Sequence, residues 1–158
     1  MIRSALPSDL PAILHVAAGI GLFDATQLHE LEAFLGDYFR KSDSKGLWVI
    51  SGELPLVWVA YAERERMTVG TWNLQWIAIT REHQRQGHGT SLLEYFECAL
   101  ANLGAHQLLI ETSASLTGSL AFYCDCGYQK EGRFRDFYEV GADKVVFREV
   151  MIFDRRLA

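Results

Sequence analysis

The sequence contains few cysteines, few prolines and no surplus of basic residues. Its 158 residues include three cysteines and three prolines, and its net charge is −5. Cys98, Cys124 and Cys126 do not stand at the spacing of a zinc site, so we expect free thiols, no bound metal and a cytoplasmic location. A chain without clustered Lys and Arg binds a phosphate backbone poorly, which argues against nucleic acid as its partner.

Long apolar runs are also missing. No stretch reaches the length that spans a bilayer, and no basic segment followed by an apolar one resembles a secretion signal at the N-terminus. We therefore expect no membrane partner. The composition that remains, 49% hydrophobic and 12% aromatic, is typical of an ordered globular protein. The length predicts one domain, residues 1–158, with a hydrophobic core of its own.

Hydrophobic periodicity and turn residues predict the element order β-α-α-β-β-β-α-β-α-β-β. Asp9 or Ser8 is predicted to cap the first helix, and Asp24 or Thr26 the second. Antiparallel runs joined by a single crossover predict a mixed α/β (α+β) sheet flanked by helices. One crossover argues against a doubly wound dinucleotide fold, which repeats the βαβ unit. The elements that matter most below are a strand from Trp72 to Ile79, a helix from Thr90 to Leu103 and a last strand from Lys144 to Phe153.

The turn between that strand and that helix carries the sequence Gln84-x-x-Gly87-x-Gly89. Two glycines at this spacing let the backbone turn tightly and present its N–H groups. The first turn of the following helix adds unpaired donors and a partial positive charge. The pattern therefore predicts a cradle for the phosphate oxygens of a cofactor.

Two motifs resemble those of the GNAT superfamily of N-acetyltransferases, over essentially the whole chain. The first is Gln84-Arg85-Gln86-Gly87-His88-Gly89, which is similar to the family's Gln/Arg-x-x-Gly-x-Gly/Ala loop after the central strand. The second is Ala121-Phe122-Tyr123-Cys124-Asp125-Cys126-Gly127-Tyr128, which is similar to the family's Ala-x-Tyr-x-x-x-Gly-Phe segment. Both motifs stand at the family's separation, with one helix and one strand between them.

The resemblance implies a single GNAT domain that uses acetyl-CoA or a related acyl-CoA. Backbone groups at the end of the central strand, Ile77, Ala78 and Ile79, would face the pantetheine arm and the thioester carbonyl. Main-chain amides of the loop would hold the pyrophosphate, in the segment formed by Gln84, Arg85, Gln86, Gly87, His88, Gly89 and Thr90. For the side chains of Arg85 and His88, simple solvent exposure is the alternative.

The resemblance also implies the acid and the base of an acyl transfer. Tyr123 falls where the family's acid tyrosine stands, and a phenol with a pKa of about 10 can protonate a thiolate of similar basicity. The alternative is a tyrosine packed under the Gly127 turn. Glu111, in a Leu/Ile-Glu context, is similar to the base of the ribosomal-protein alanine N-acetyltransferase branch. A structural hydrogen bond or ion pair is its alternative.

Three positions depart from the family or compete with this assignment. Asn73 stands where the histone-acetylating branch has its base, and an amide cannot take up a proton. Leu116 stands where many members have Asn, although Ser115 or Thr117 could substitute for it. Cys124 is a rival nucleophile, but no His is recognisably related to it.

The acceptor is predicted only as a class, a small-molecule amine or a peptide N-terminus. The segment Arg133-Phe134-Arg135-Asp136-Phe137-Tyr138 loosely resembles an aromatic and basic loop of the alanine N-acetyltransferase branch. Its charges are alternatively exposed residues beside a hairpin. The apolar run Val145-Val146-Phe147 leaves a homodimer open. A non-catalytic acyl-CoA-binding module of the same fold is the rival function.

Overall fold

A computed structural model describes residues 2–21, 23–41, 45–51 and 53–151. Within these residues the chain forms seven strands, four α-helices and two short 3-10 helices at Pro7–Asp9 and Arg81–His83. The strands are β1 Ile2–Ser4, β2 Gly46–Ser51, β3 Trp58–Arg64, β4 Thr71–Ile79, β5 Gln107–Ser113, β6 Gln129–Glu139 and β7 Ala142–Val150. The helices are α1 Leu10–Ile20, α2 Ala25–Arg40, α3 His88–Asn102 and α4 Thr117–Asp125.

The seven strands form one mixed sheet in the order β1-β2-β3-β4-β5-β7-β6. Strands β4 and β5 are parallel, whereas β1–β2, β2–β3, β5–β7 and β6–β7 are antiparallel. A parallel pair needs a crossover connection, and α3 supplies it. The predicted element order and the mixed sheet are therefore confirmed. The prediction of a single crossover is wrong, because β7 lies between β5 and β6 and is antiparallel to both, so β5 and β6 are parallel and α4 makes a second crossover.

The chain divides into two compact units, Met1–Glu63 with Trp76–Phe96 and Arg64–Gln75 with Glu97–Ala158. In the first unit, α1 and α2 contribute apolar side chains to a cluster with β2, β3 and β4. The buried members of that cluster are Ile13, Val16, Leu35, Trp48, Ile50, Leu56, Val59, Tyr61 and Ala78. Trp48 stacks on Tyr61 at 4.5 Å between ring centroids, as expected of core aromatic side chains.

The second unit is built on the ladder of β4, β5, β7 and β6. Residues Thr71–Leu74 of β4 pair with Gln107–Ile110 of β5, which in turn pairs along its whole length with β7. Its buried apolar side chains include Trp72, Leu108, Ile110, Val145 and Phe147. Val145 and Phe147 are thus used in the unit's own core, so the apolar run that left a homodimer open presents little free surface.

The predicted N-caps of the first two helices have different outcomes in the structure. Asp24 caps α2, since its side chain accepts the N–H of Gln27, but Asp9 does not cap α1 with its side chain. Its carboxylate accepts hydrogen bonds from Arg3 and from the Leu6 N–H instead.

Two predicted boundaries also differ from those observed. Helix α3 begins at His88, two residues before the predicted start, because the turn at Gly87 already directs the chain into the helix. Strand β7 ends at Val150, and its predicted last residue, Phe153, lies outside the described residues. In the described part of the chain, none of the helices combines the length and the apolar character needed to cross a membrane.

Candidate functional site

The glycine turn after β4 has the backbone geometry that the sequence predicts. Arg85 and Gly87 have positive φ angles of 59° and 83°. A left-handed conformation costs an L-residue about 1–2 kcal/mol, whereas glycine adopts it without that cost. The N–H of Ser91 bonds to the carbonyl of Gly87 at 3.2 Å and closes the first turn of α3. Gly87, the residue before α3, therefore accepts the first hydrogen bond of the helix.

This geometry leaves main-chain donors at the start of α3. Because Ser91 makes the first helical bond, the amides of Gly87, His88 and Gly89 have no acceptor inside the helix. The helix dipole places partial positive charge at the same end, and Gly87 is exposed. Arg85 is exposed beside it. The turn can therefore receive an anion such as a pyrophosphate.

The two glutamines of the motif brace the loop with their side chains. Gln84 Nε2 donates to the carbonyl of Ile79 at 3.0 Å, and Gln86 Nε2 donates to the carbonyl of Glu82 at 2.7 Å. One of these carbonyls precedes the 3-10 turn at Arg81–His83 and the other lies within it, so both side-chain amides tie the loop to the segment before it. These side chains therefore contribute to the predicted cofactor site by holding the backbone of the loop in its observed shape.

The three predicted pantetheine contacts lie at the end of β4. Ala78 is buried in the core cluster of the first unit, while Ile77 and Ile79 are half-buried and point to the opposite face, as alternation along a strand requires. The register of β4 with β5 runs from Thr71 to Leu74. Ile77, Ala78 and Ile79 therefore come after that ladder.

In the second unit, Glu111 of β5 is held between two side chains that the sequence did not connect with it. Asn73 Nδ2 donates to Glu111 Oε1 at 3.3 Å, and Lys144 Nζ lies 2.8 Å from Glu111 Oε2. The Glu111 side chain keeps 34% of its surface exposed, whereas Lys144 keeps 10%. The structural alternative for Glu111, an ion pair and a hydrogen bond, is thus present in the fold, and the carboxylate also remains accessible to solvent.

The sheet register explains why these three residues meet. Asn73 stands opposite Leu109, and Lys144 stands opposite Ser113. Leu109, Glu111 and Ser113 alternate onto one face of β5, so both partners are diagonal neighbours of Glu111 on that face. Asn73 Oδ1 is buried and has no hydrogen-bond partner among the described residues.

Lys144 makes further contacts with two aromatic rings of β6. Its Nζ lies 3.6 Å from the centroid of the Phe137 ring and 5.1 Å from that of Phe134, which stands directly opposite Lys144 in the β6–β7 ladder. Both rings are about half exposed, at 52% and 53%. Burial raises the pKa of Tyr138, and the nearby charge of Lys144 lowers it while that of Glu111 raises it.

Residues 133–138, which resemble in sequence an aromatic and basic loop of the alanine N-acetyltransferase branch, lie within strand β6. Arg133 Nε pairs with Asp143 Oδ2 at 2.6 Å, and Asp143 Oδ1 accepts the N–H of Asp136 at 3.0 Å. These two contacts hold the pKa of Asp143 below its usual value, the Asp136 N–H first and Arg133 second. Asp136 has a positive φ of 52°, and the ladder shifts register after Phe134.

Tyr123 is carried by α4 into the core of the second unit. It is 5% exposed, and its ring lies 5.6 Å from that of Phe147 and 6.1 Å from that of Tyr128. Gly127 has a φ of 91°, and the N–H of Tyr128 bonds back to the carbonyl of Tyr123 at 3.0 Å. This αL helix end fixes the position of the tyrosine.

Burial, and secondly the neighbouring Cys126, raise the pKa of Tyr123 to about 12. The rise from the reference value of about 10 makes loss of the phenolic proton about 3 kcal/mol harder than in water. Tyr123 therefore stays protonated throughout the physiological range. The sequence suggested that the pKa of the phenol is similar to that of the thiolate. In the folded chain the pKa of Tyr123 is higher than that suggested value.

The remaining candidates lie near the start and end of α4. Leu116 is 42% exposed at the N-cap of α4, and Ser115 Oγ shares a 2.8 Å hydrogen bond with Ser113 Oγ. Cys124 and Cys98 are exposed, and none of the three cysteines forms a disulfide within the described part of the chain.

Comparison with known proteins identifies the fold. Residues 44–130, more than half of the chain, match the family profile described as Acetyltransferase (GNAT) domain. The match ends at the start of β6 and includes β2, the glycine turn, Glu111 and Tyr123. Among curated proteins, no sequence matches this chain.

Solved structures resemble the chain over nearly its whole length. One, from Desulfovibrio desulfuricans and assigned to the GNAT acetyltransferases, is 23% identical with a TM-score of 0.89, covering 96% of this chain and 99% of that one. A ribosomal-protein-alanine N-acetyltransferase from Escherichia coli is 21% identical with a TM-score of 0.78, covering 100% and 98%. An aminoglycoside 6′-N-acetyltransferase in complex with coenzyme A is 13% identical with a TM-score of 0.77, covering 96% and 97%. At these identities the likeness shows the fold.

Replacing Gly87 with Ala tests the loop. No heavy atom lies within 4 Å of the added Cβ, so the change acts through backbone strain at φ +83°. We expect the loop to shift and the affinity for coenzyme A, measured by calorimetry, to fall about tenfold, which corresponds to 1.4 kcal/mol. Gly36→Ala, in helix α2 and equally free of neighbours, is the control and should bind as the parent does. Equal affinity for the Gly87→Ala protein would show that the ligand does not depend on this turn.

Proposed function

The chain belongs to the GNAT acetyltransferase family, and from that premise we propose that it transfers an acetyl group from acetyl-CoA to a primary amine. The amine attacks the thioester directly in a ternary complex, without an acyl-enzyme intermediate. The observation that carries the proposal is the left-handed turn at Gly87, after which the amides of Gly87, His88 and Gly89 have no acceptor inside α3, in the segment that matches the family.

The cofactor is held mainly by the backbone in this proposal. The main-chain amides from Arg85 through Thr90 bind the pyrophosphate, with the helix dipole and the Arg85 guanidinium adding positive charge. Backbone groups of Ile77, Ala78 and Ile79 bind the pantetheine arm. The coenzyme A in the similar aminoglycoside acetyltransferase supports the choice of donor.

Acetyl transfer requires that protons move at two atoms. The acceptor ammonium gives a proton to Glu111, and the freed lone pair forms the C–N bond at the thioester carbonyl. The C–S bond then breaks, the thiolate of coenzyme A takes a proton from Tyr123, and the nitrogen gives its excess proton to the tyrosine phenolate, directly or through water. The products are a neutral amide and a thiol, and Glu111 releases the first proton to solvent. Asn73, which donates to Glu111 and keeps a buried, unmatched Oδ1, orients the carboxylate and can accept a hydrogen bond from the incoming amine.

The raised pKa of Tyr123 sets how the acid works. A phenol with a pKa near 12 protonates the leaving sulfur only as negative charge develops there, and it does not serve as a base at neutral pH. The acid therefore remains in its active form across the whole working range.

The acceptor is a small-molecule amine or a peptide N-terminus. The similar structures act, by their names, on a ribosomal-protein alanine and on an aminoglycoside, so the shared fold does not choose between them. The alternative is a non-catalytic acyl-CoA-binding module. The specific observation that favours it is the ion pair between the Lys144 ammonium and the Glu111 carboxylate.

Replacing Glu111 with Gln tests the base and separates the two functions. Thiol release from acetyl-CoA is measured against a panel of polyamines, amino acids, aminoglycosides and peptide N-termini. We expect amine-dependent release by the parent, and a fall in kcat/KM of roughly a hundredfold or more in the variant, with loss of the acid limb of the pH–rate profile. Glu139→Gln, an exposed carboxylate of β6, is the control and should keep both.

An acid limb that persists unchanged in the Glu111→Gln protein would contradict the assignment of the base. Coenzyme A binding without amine-dependent release across the panel would favour the non-catalytic module.

Replacing Tyr123 with Phe removes the acid while preserving the packed ring. We expect kcat to fall by roughly a hundredfold with little change in KM for acetyl-CoA, because the hydroxyl acts only as the sulfur leaves. Since the pKa of Tyr123 is raised to about 12, the parent should show no alkaline fall in kcat up to about pH 10. Tyr95→Phe, on α3, is the control. Near-parental turnover in the Tyr123→Phe protein would exclude the acid role.

A further inference from the structure

We propose that Lys144 is an internal competitor of the acceptor, because its ammonium occupies the place where this chain would receive the ammonium of an amine. We call the receiving groups the cation cage, defined as the carboxylate of Glu111 and the rings of Phe134 and Phe137. The acceptor binds by displacing Lys144 from the cage. This inference rests on the proposed function and adds how the same region recognises its acceptor.

The cage has the composition that binds an alkylammonium ion. A carboxylate oxygen lies 2.8 Å from Lys144 Nζ, and the two ring centroids lie at 3.6 Å and 5.1 Å. Ammonium ions over aromatic faces within about 6 Å are attracted by the ring quadrupole, and the opposite charge adds a direct ion pair. These contacts recognise a charged amine and no other feature of the molecule that carries it.

The cage also opens toward solvent. Its rings are about half exposed and Glu111 is about one third exposed, whereas the lysine that fills it is 10% exposed. The cage residues are therefore accessible from solvent, while the Lys144 side chain that occupies the cage is largely buried. A lysine ammonium sits on a flexible four-carbon stem, so it can leave the cage by rotation of its side chain alone.

The buried amide of Asn73 points to a second, external occupant. It donates to Glu111 through Nδ2, while its Oδ1 is buried and without a partner among the described residues. An unmatched buried acceptor is costly and calls for a donor. A primary ammonium bound at Glu111 has three N–H groups, enough to serve the carboxylate and this oxygen together.

Competition of this kind sets the apparent affinity. If the cage is free of Lys144 for a fraction of the time, the acceptor's apparent dissociation constant is the intrinsic value divided by that fraction. A cage that is empty about one tenth of the time weakens binding about tenfold. The internal lysine weakens every amine that uses the cage by the same factor, so an acceptor needs contacts beyond the cage to bind at low concentration.

The test is a binding measurement with tetramethylammonium, which keeps the charge but cannot be acetylated. We expect Lys144→Met to bind this ion about tenfold more tightly than the parent, in a titration followed by ligand-observed NMR. Adding Phe137→Leu to the Lys144→Met protein should abolish the gain, because the nearest ring is then lost. A Lys144→Met protein that binds no more tightly than the parent would overturn the proposal.

A second measurement on the unsubstituted chain avoids dependence on the folding of the variant. Lysines are reductively methylated and quantified by mass spectrometry in tetramethylammonium chloride or in sodium chloride at equal concentration. We expect faster modification of Lys144 when the organic cation is present, with exposed Lys130 of β6 as the unaffected control. Equal rates at Lys144 in the two salts would overturn the proposal.

These outcomes are independent of catalysis. If acetyl transfer fails but the tetramethylammonium results are positive, the cation cage is supported and the proposed enzymatic function is contradicted. If acetyl transfer is observed but both measurements are negative, only the cation-cage proposal is contradicted.

Discussion

The start of helix α3 depends on a backbone conformation that a residue with a side chain adopts only at a cost. With φ at 83°, Gly87 turns the chain so that the first helical bond is made by Ser91, and the amides of Gly87, His88 and Gly89 have no acceptor inside the helix. The side chains of Gln84 and Gln86 hold the loop in that shape by donating hydrogen bonds to the carbonyls of Ile79 and Glu82, which precede it. A site built from main-chain donors in this way recognises phosphate through geometry and dipole, which is why so few of its side chains are charged.

The second unit obtains its chemistry from sheet register. Parallel pairing of β4 with β5 and antiparallel pairing of β5 with β7 bring Asn73 and Lys144 to the same face as Glu111. The β6–β7 ladder adds Phe134 opposite Lys144. The same carboxylate is therefore orientated by an amide, neutralised by an ammonium and bordered by aromatic rings. That combination suits a group that must exchange protons with an amine and must also be satisfied when no amine is bound.

Local sequence was sufficient for the features that depend on neighbouring residues. The order of strands and helices, the glycine turn and the Asp24 cap follow from periodicity and from residues whose preferences are local. The partners of Glu111 are different, since Asn73 and Lys144 lie 38 and 33 residues away along the chain. Their contact depends on strand pairing that one sequence does not specify. The sequence therefore did not predict that Lys144 contacts Glu111. The pKa of Tyr123 depends on how deeply α4 is packed, which is equally a tertiary property.

The central claim, that main-chain amides at the start of α3 hold the diphosphate of coenzyme A, is tested most directly by amide NMR. Backbone-labelled protein is titrated with coenzyme A, and the ¹H–¹⁵N signals of Gly87, His88 and Gly89 are followed. Gly127, another left-handed glycine beside a helix end, is the internal reference. The account predicts the largest downfield amide shifts at Gly87–Gly89, because these N–H groups gain charged acceptors, and only small changes at Gly127. Saturable binding that leaves the signals of Gly87–Gly89 unmoved would contradict it.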